Sequence, residues 1–296
     1  MDTLQDLNRK IKSAKDLLTV VRTMKSLAAA NIHQYEKAVL SLEHYYRAVE
    51  LGLRAMLLNH TFRTDEPESK SMVAFIFGSD QGLVGQFNNR IIDFARRVLA
   101  GRDHRNQDIS FWVAGAKTAD LVEESFGGYE ELFSLPSSVD TITTNVQEAV
   151  LKLEARRREY GETGLTLFYN MPVAGSSYKQ EMRPLLPPDE AWLSNLGTGR
   201  WPGRSLPFYR TAWPEIFPAL IGEYLFVSLF HGYAASMSAE NAARLFSMHR
   251  AERNTREMIE DLTFRHNSLR QEKIDEELLE VVSGFEALRS EEHITY

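Results

Sequence analysis

One segment of the sequence has the residue types of a nucleotide-binding loop. The run GSDQGLVG, from Gly78 to Gly85, follows a short apolar stretch and precedes a helical pattern, which is where glycine-rich phosphate loops occur. It contains neither G-x-G-x-x-G nor the G-K-[ST] of a phosphate loop. We therefore favour a tight strand-to-helix connection, in which Gly82 and Gly85 permit the turn and Asp80 serves the turn or a helix start. Nucleotide binding is the alternative.

No other set of residues has the spacing of an active site. The eight histidines are dispersed without an H-E-x-x-H pair, and no cysteine is present, so thiolate metal sites and disulfides are excluded. Ser176 and Ser177 do not form a G-x-S-x-G elbow. Paired acids such as Glu276-Glu277 lie in helical patterns, where a solvated face is the default. We predict a non-catalytic protein without a cofactor or a metal.

The elements around that segment begin with one long helix. Apolar or aromatic residues recur at alternating steps of three and four from Leu4 to Met56, and only Lys25 breaks the series. No proline falls within residues 1–60. This is the a/d pattern of a left-handed coiled coil, sustained for about seven heptads. At full length the helix would be roughly 80 Å long.

A second long helical pattern begins near Glu215. Its seam, the row of a and d positions that would face a partner helix, is more polar than that of the first helix. Steps of three and four run from Phe230 to Leu269 with one irregularity near Asn241, and they resume in a shifted phase from Ile274 to Leu288. Such shifts alter the supercoil locally. We predict that the two terminal helices pair in an antiparallel coiled coil and that the second helix faces changing partners along its length.

The apolar stretch Ile216–Met237 approaches the length of a membrane span. Pro218, Glu223 and His231 interrupt it, and charged residues are costly inside a bilayer. We predict a helix buried within protein and no direct membrane span.

Between the terminal helices, short strand and helix patterns alternate. Met72–Phe77 is a continuous apolar run, as expected of a strand buried on both faces. Further strands are predicted at 109–113, 165–171 and 177–186, with helices at 87–99, 118–125 and 141–160. This alternation predicts a Rossmann-like α/β domain. The predicted organisation is a coiled-coil helix at 1–60, the α/β domain at 71–187, a loop or linker rich in Pro, Gly and Trp at 188–214, and a coiled-coil helix at 215–296.

Composition and charge narrow the class of protein. The chain of 296 residues is 43% hydrophobic and 25% charged, which is ordinary for a soluble globular protein. Its net charge of −7 argues against a nucleic-acid partner. Basic residues cluster between Arg9 and Lys25, and acidic residues between Glu272 and Glu286. One interpretation is that both clusters are solvated faces. The other is that the two clusters attract each other and that the basic cluster also meets an acidic surface on a partner.

Three segments resemble the gamma subunit of F-type ATP synthases. Val21–Ala30 (VRTMKSLAAA) is similar to the first helix of that family, and Ser79–Gly85 is similar to its first strand-to-helix motif. The C-terminal run is similar to the family's most characteristic stretch, through Ser238–Arg244, Leu262–Gln271 and Ile274–Leu288. The segments occur in the family's order and spacing.

The resemblance implies a rotor. Its coiled coil would pass through a hexamer of alternating alpha and beta subunits, and its α/β domain would form a foot with the epsilon subunit on a membrane ring of c subunits. Catalysis would reside in the beta subunits, and the chain would couple ion-driven rotation of the ring to ATP synthesis or hydrolysis there. A peripheral location on the cytoplasmic face of the cell membrane is implied, without nucleic acid.

The resemblance also assigns partner contacts to five residues. Met24 and Lys25 match a basic neck segment that faces acidic loops of the beta subunits. Arg270 and Gln271 match polar contacts with a beta-subunit loop, and Glu277 lies in the same motif. Because Lys25 alone breaks the first seam, we expect it to point at a partner rather than at the sister helix.

The sequence departs from the family at several positions. Gln81 and Val84 stand where relatives often carry a basic residue and a cysteine, His266 lies in the seam, and Phe285 is bulky. The segment 187–215 is unlike the ordinary bacterial form. These departures fit a divergent branch, such as the alternate ATPases thought to pump sodium ions.

Two other functions remain open from the sequence. One is a nucleotide-dependent enzyme built on residues 72–186, which predicts tight binding of NAD or ATP by the lone chain. The other is a generic coiled-coil scaffold, which predicts self-association through the terminal helices.

Overall fold

A computed structural model describes residues 3–58, 71–101, 108–173, 177–198, 201–204, 207–208, 210 and 213–292. Along the chain, the long helix α1 (Leu4–Leu57) precedes the other elements and the long helix α6 (Trp213–Glu292) follows them. The chain divides into two compact units. The first contains Met1–Ser26 and Met248–Tyr296, and the second contains Leu27–Ser247.

The heptad pattern of α1 is visible as a stripe of buried residues at seven-residue spacing, interrupted at the half-buried Leu42. The buried positions are at most 5% exposed, namely Leu7, Ala14, Val21, Ala28, Tyr35, Val49 and Met56. The apolar positions three residues before members of this stripe are mostly half-buried, as at Leu18 and Val39, whereas Leu53 is fully buried. A fixed seven-residue spacing keeps one stripe of the helix on its partner. The predicted coiled-coil helix is therefore confirmed.

Helices α1 and α6 run antiparallel. In the second unit, Asn31 Nδ2 donates to Asn241 Oδ1 at 3.4 Å, and Tyr45 OH donates to Glu223 Oε2 at 2.5 Å. Residue numbers rise along α1 as they fall along α6. In the first unit, Arg22 and Lys25 of α1 bond to a single residue of α6, Glu252. The predicted hairpin of terminal helices is thus present in both units.

The second unit contains a five-stranded sheet in the order β3-β2-β1-β4-β5. Strands β1 to β4 are parallel, and β5 is antiparallel to β4. Their bounds are β1 Ser71–Phe77, β2 Asp108–Ala114, β3 Glu131–Phe133, β4 Thr163–Val173 and β5 Ser177–Leu186. The shorter helices are α2 Phe87–Gly101, α3 Ala116–Phe126, α4 Ile142–Tyr160 and α5 Glu190–Thr198. The mixed α/β sheet confirms the predicted fold class.

Helices cover both faces of the sheet. Every residue of β1 is buried, as expected of a central strand between two layers. Ala74 and Ile76 pack with Ile91 of α2 and Val122 of α3 on one face. On the other face the alternate residues of β1 pack with α1, α4 and α6, through side chains that include Phe75, Leu53, Val146 and Tyr233.

A short strand and a helix were absent from the sequence prediction. Strand β3 is only three residues long, too short to show an alternating pattern. Helix α5 lies inside the segment predicted as a linker or loop, and its Leu193 and Leu196 are 2% and 6% exposed within the core. Leu288 and the bulky Phe285 of the predicted C-terminal seam lie outside the described side chains.

A buried arginine joins α4 to the amino ends of the central strands. The side chain of Arg156 is 6% exposed. Its Nη2 donates to Ser71 Oγ at 3.1 Å and to Ser110 Oγ at 2.8 Å, while Nη1 bonds to Glu130. Removal of one partner from a buried ion pair leaves the remaining polar groups without compensation.

Replacing Arg156 with methionine is expected to lower the free energy of unfolding by about 2–3 kcal/mol, because the buried Ser71, the half-buried Ser110 and a partly exposed carboxylate lose their bonds to the guanidinium. Urea denaturation followed by tryptophan fluorescence, to which the buried Trp112 contributes, measures the loss. Arg158→Met on the same helix is the control, because its side chain is 80% exposed. Equal losses in the two variants would show that the Arg156 contacts contribute nothing specific.

Candidate functional site

The turn after β1 is filled by the protein's own side chains. Ser79 N donates to Thr118 Oγ1 at 3.0 Å, Thr118 Oγ1 donates to Asn88 Oδ1 at 3.1 Å, and Asn88 Nδ2 donates to Ser79 Oγ at 2.8 Å. A Cβ at Gly78 would lie 1.6 Å from Thr118 Oγ1. Nucleotide phosphates in α/β folds sit at the carboxyl end of a strand. Here that space is occupied, which favours the structural interpretation of the segment.

The three residues predicted to shape the turn differ in what they do. Asp80 accepts from Ala116 N at 2.9 Å and from Leu135 N at 3.3 Å, so it holds the start of α3 rather than that of α2. Gly85 has φ +61°, a conformation that favours glycine. Gly82 is outside the left-handed region, and an added Cβ would meet nothing within 4 Å.

The sequence analysis missed a strained residue in this turn. Leu83 has φ +65° and is 59% exposed. Residues with side chains rarely adopt this conformation, and it costs on the order of 1–2 kcal/mol. No sequence pattern marks a leucine for positive φ; its position between two glycines is the only signal.

A cluster of charged side chains lies in the hairpin of the first unit. It is here called the neck and contains Arg22, Lys25, Glu252 and Arg256. Glu252 of α6 is 6% exposed. It accepts from Lys25 Nζ, from Arg256 Nη2 at 2.5 Å and from Arg22 Nε at 3.3 Å. The hydrogen bonds from Lys25, then from Arg256 and Arg22, lower the pKa of Glu252 to about 2 against the opposing effect of burial.

The expected orientation of Lys25 is therefore wrong. Its ammonium group contacts the sister helix, because a buried carboxylate there requires compensating charge. Its side chain is still 32% exposed, and Met24 beside it is half-buried. Contact of Met24 and Lys25 with a partner stays a prediction, because both remain accessible from outside.

The far end of α6 is exposed along its described length. Each side chain described from Arg270 to Gly284 is exposed, including Gln271 and Glu277. Large apolar residues are among them, namely Ile274, Leu278, Leu279, Val281 and Val282, which are 45–66% exposed. An apolar surface of this kind on a lone helix indicates a binding surface. The three predicted contact residues thus lie on one accessible segment, here called the tip (residues 270–284).

We also searched the described residues for a metal site and for a helix that could span a membrane. Within the residues that the structure describes, no three His, Asp or Glu side chains are grouped to hold a metal ion. Helix α6 meets the length and composition of a membrane span between Trp213 and Gly284, with a mean hydropathy of 1.2 in a window that is 39% buried. Core helices of soluble proteins meet the same criterion, and α6 supplies Tyr233 and Ala234 to the core.

Comparisons with known proteins agree with this architecture. A sequence model of the family described as ATP synthase matches residues 3–288. The ATP synthase gamma chain of Aquifex aeolicus is 26% identical over 97% of this chain and 98% of its own length. The ATP synthase gamma chain of a Nitratiruptor species is 28% identical, over 98% of this chain and 100% of its own length.

Solved structures share the fold at lower identity. A chain of the Euglena gracilis mitochondrial ATP synthase rotor superposes with a TM-score of 0.61 at 16% identity, covering 92% of this chain and 98% of that one. A chain from the OSCP/F1/c-ring part of the same assembly has a TM-score of 0.63 at 18% identity, covering 97% and 95%.

Replacing Glu252 with glutamine is expected to lower the thermal midpoint at neutral pH, because three cations lose their shared carboxylate. Since the folded pKa is depressed, the stabilisation is present above about pH 4.5 and is lost as the pH falls toward about 2. Melting followed by circular dichroism across this interval should show the two proteins converge at acid pH. Glu257→Gln is the control, with a side chain 68% exposed. A difference between wild type and Glu252→Gln that does not change with pH would contradict this account of Glu252.

Proposed function

The chain belongs to the ATP synthase family, and from that membership we propose that it is the gamma-type subunit of the central stalk. It would act as a rotor that couples rotation of a membrane c ring to ATP synthesis or hydrolysis in beta subunits. The observation that carries the proposal is the tip of α6, a largely charged helix whose apolar residues are left uncovered by the described part of α1. A shaft whose end must turn inside other subunits requires such a surface.

The chemistry of the chain supports a mechanical role. The turn after β1 is filled by Ser79, Asn88 and Thr118, which leaves the strand end without space for a phosphate. The chain itself would be non-catalytic, and ATP would be bound and converted in the beta subunits. Torque requires stiffness, and the stripe of buried residues at seven-residue spacing along α1 supplies it.

The partners follow from the placement of the exposed surfaces. The tip and the neck, with Lys25, Arg270 and Gln271, would contact the alpha and beta subunits, and Glu277 extends that surface. The α/β domain would form the foot with the epsilon subunit and the c ring. A subunit held in this way is peripheral to the membrane, and we place it on the cytoplasmic face.

The test is reconstitution with alpha- and beta-type ATP synthase subunits. The full chain should form a stoichiometric complex with them, and it should hydrolyse no ATP alone. Replacing both Leu278 and Val281 with serine should weaken the complex about tenfold or more, because buried apolar anchors dominate interface energies. The fold of the isolated variant should be unchanged, because both residues are more than half exposed.

A matched control separates the tip from general surface change. Leu151 on α4 is 66% exposed, so Leu151→Ser removes a similar apolar group far along the chain from the tip. It should leave assembly with alpha and beta subunits unchanged. Equal assembly by the tip variant and wild type would overturn the role of the tip, and failure of the wild-type chain to bind either subunit would overturn the proposed function.

Arg270 and Gln271 can be tested in the same complex. Replacing both with alanine should reduce coupled activity while leaving the helicity of the isolated chain intact, because both side chains are exposed. The ratio of ATP-driven ion transport to ATP hydrolysis in reconstituted vesicles measures the effect. An unchanged ratio would remove the assignment of these two residues.

A further inference from the structure

Helix α6 carries a second buried carboxylate, whose surroundings differ from those of Glu252. Glu240 is 4% exposed. One oxygen, Oε1, accepts from Arg244 Nη2 at 2.5 Å. The other, Oε2, is buried and has no hydrogen-bond partner among the described residues. An ionised carboxylate buried with half of its acceptors unpaired is strongly disfavoured.

Three elements meet around this residue. On either side of Glu240, Ala239 and Ala243 of α6 pack against Val84 in the turn and Phe87 at the start of α2. From α1, Asn31 bonds to the next residue of α6, Asn241. Glu240 therefore lies where both helices of the hairpin pass the carboxyl end of β1.

The ionisable neighbours of Glu240 offer little compensation for a negative charge. Within α6 the ion-pair partner is Arg244, whose Nε is itself buried and has no hydrogen-bond partner in the part of the chain that the structure describes. In the turn Asp80 adds negative charge, and in α1 the neighbour is Tyr35, which is 3% exposed. Burial and electrostatic repulsion therefore destabilise the ionised carboxylate of Glu240 by more than its one ion pair stabilises it.

We propose that Glu240 is a proton-binding group at this junction, protonated in the tightly packed state, and that its ionisation loosens the packing of α6 against α1 and the turn. A neutral carboxylic acid matches the buried environment, whereas the carboxylate draws water toward Oε2. The proposal concerns the chain itself and holds whether or not the subunit turns as a rotor.

The electrostatic environment supports this direction. Burial raises the pKa of Glu240 to about 7, with Asp80 adding to the rise and Arg244 opposing it. A carboxyl whose folded pKa is raised stabilises the fold fully below about pH 4.5, and this stabilisation is lost as the pH rises to about 7. The junction would thus respond to pH near neutrality.

Infrared spectroscopy of the full chain tests protonation directly. The wild type should show the carbonyl stretch of a buried carboxylic acid at about pH 5.5, and the band should disappear as the pH rises through about 7. Glu240→Gln should lack it. Arg244→Gln should retain it to a pH about one unit or more higher, because an opposing positive charge is removed. A band present in wild type and absent from Glu240→Gln, but lost at the ordinary pKa of glutamate, would overturn the proposal.

Hydrogen exchange tests the mechanical consequence. Each protein is compared with Glu240→Gln at the same pH, so that the intrinsic pH dependence of exchange cancels. Between about pH 5.5 and about pH 8.5, wild-type protection of amides 236–247 should fall about 30-fold relative to that variant, the change expected for pKa values of about 7 and 4.5 in the closed and open states.

The control is Glu257→Gln, which should follow the wild type at both pH values because its side chain is 68% exposed. A constant ratio of wild type to Glu240→Gln would overturn the link between ionisation and packing. If Glu240→Gln fails to fold, the upward shift in Arg244→Gln decides the infrared test alone, and an unshifted band would then overturn the proposal.

Discussion

The structure depends on burying a stripe of α1 residues at seven-residue spacing. From Leu7 to Met56 this stripe supplies the apolar surface that holds α1 in an antiparallel hairpin with α6. Burial of a large apolar side chain contributes about 1.5–3 kcal/mol, and small residues such as Ala14 and Ala28 permit close approach. The same constraint explains the tip: where the described part of α1 gives no cover, the apolar residues of α6 remain exposed and need other subunits.

Helix α6 contains two buried carboxylates whose environments push their pKa values in opposite directions. Glu252 has three cationic donors, which outweigh burial and hold its pKa near 2. Glu240 has one cation and a nearby acid, so burial dominates and its pKa rises to about 7. The ionised Glu252 stabilises the hairpin through its ion pairs. The neutral Glu240 permits close packing beside the α/β domain. The number of cationic hydrogen-bond donors around each carboxylate, and not its position in the sequence, decides whether the carboxylate is ionised or neutral.

Regular periodicity made much of this fold predictable. The a/d series of α1 and the apolar run of β1 need no tertiary context, because each repeats a simple geometric period. Helix α5 could not be predicted in this way, because a few residues, chiefly Leu193 and Leu196, anchor it in a segment rich in Pro, Gly and Trp. The partner of Lys25 was equally hidden: Glu252 lies 227 residues away, and only the antiparallel register brings the two together. The positive φ of Leu83 has no sequence signal beyond the nearby glycines.

The central claim is that the chain turns as a shaft within a ring of alpha and beta subunits. Because the sequence contains no cysteine, a single Lys117→Cys substitution on the exposed face of α3 allows a bead to be attached at one defined point. Single-molecule imaging of the surface-anchored complex with ATP tests the claim directly. Full rotations of the bead in one direction, at a rate that follows ATP hydrolysis, are the predicted result. A bead that stays stationary or only fluctuates while ATP is hydrolysed would contradict it.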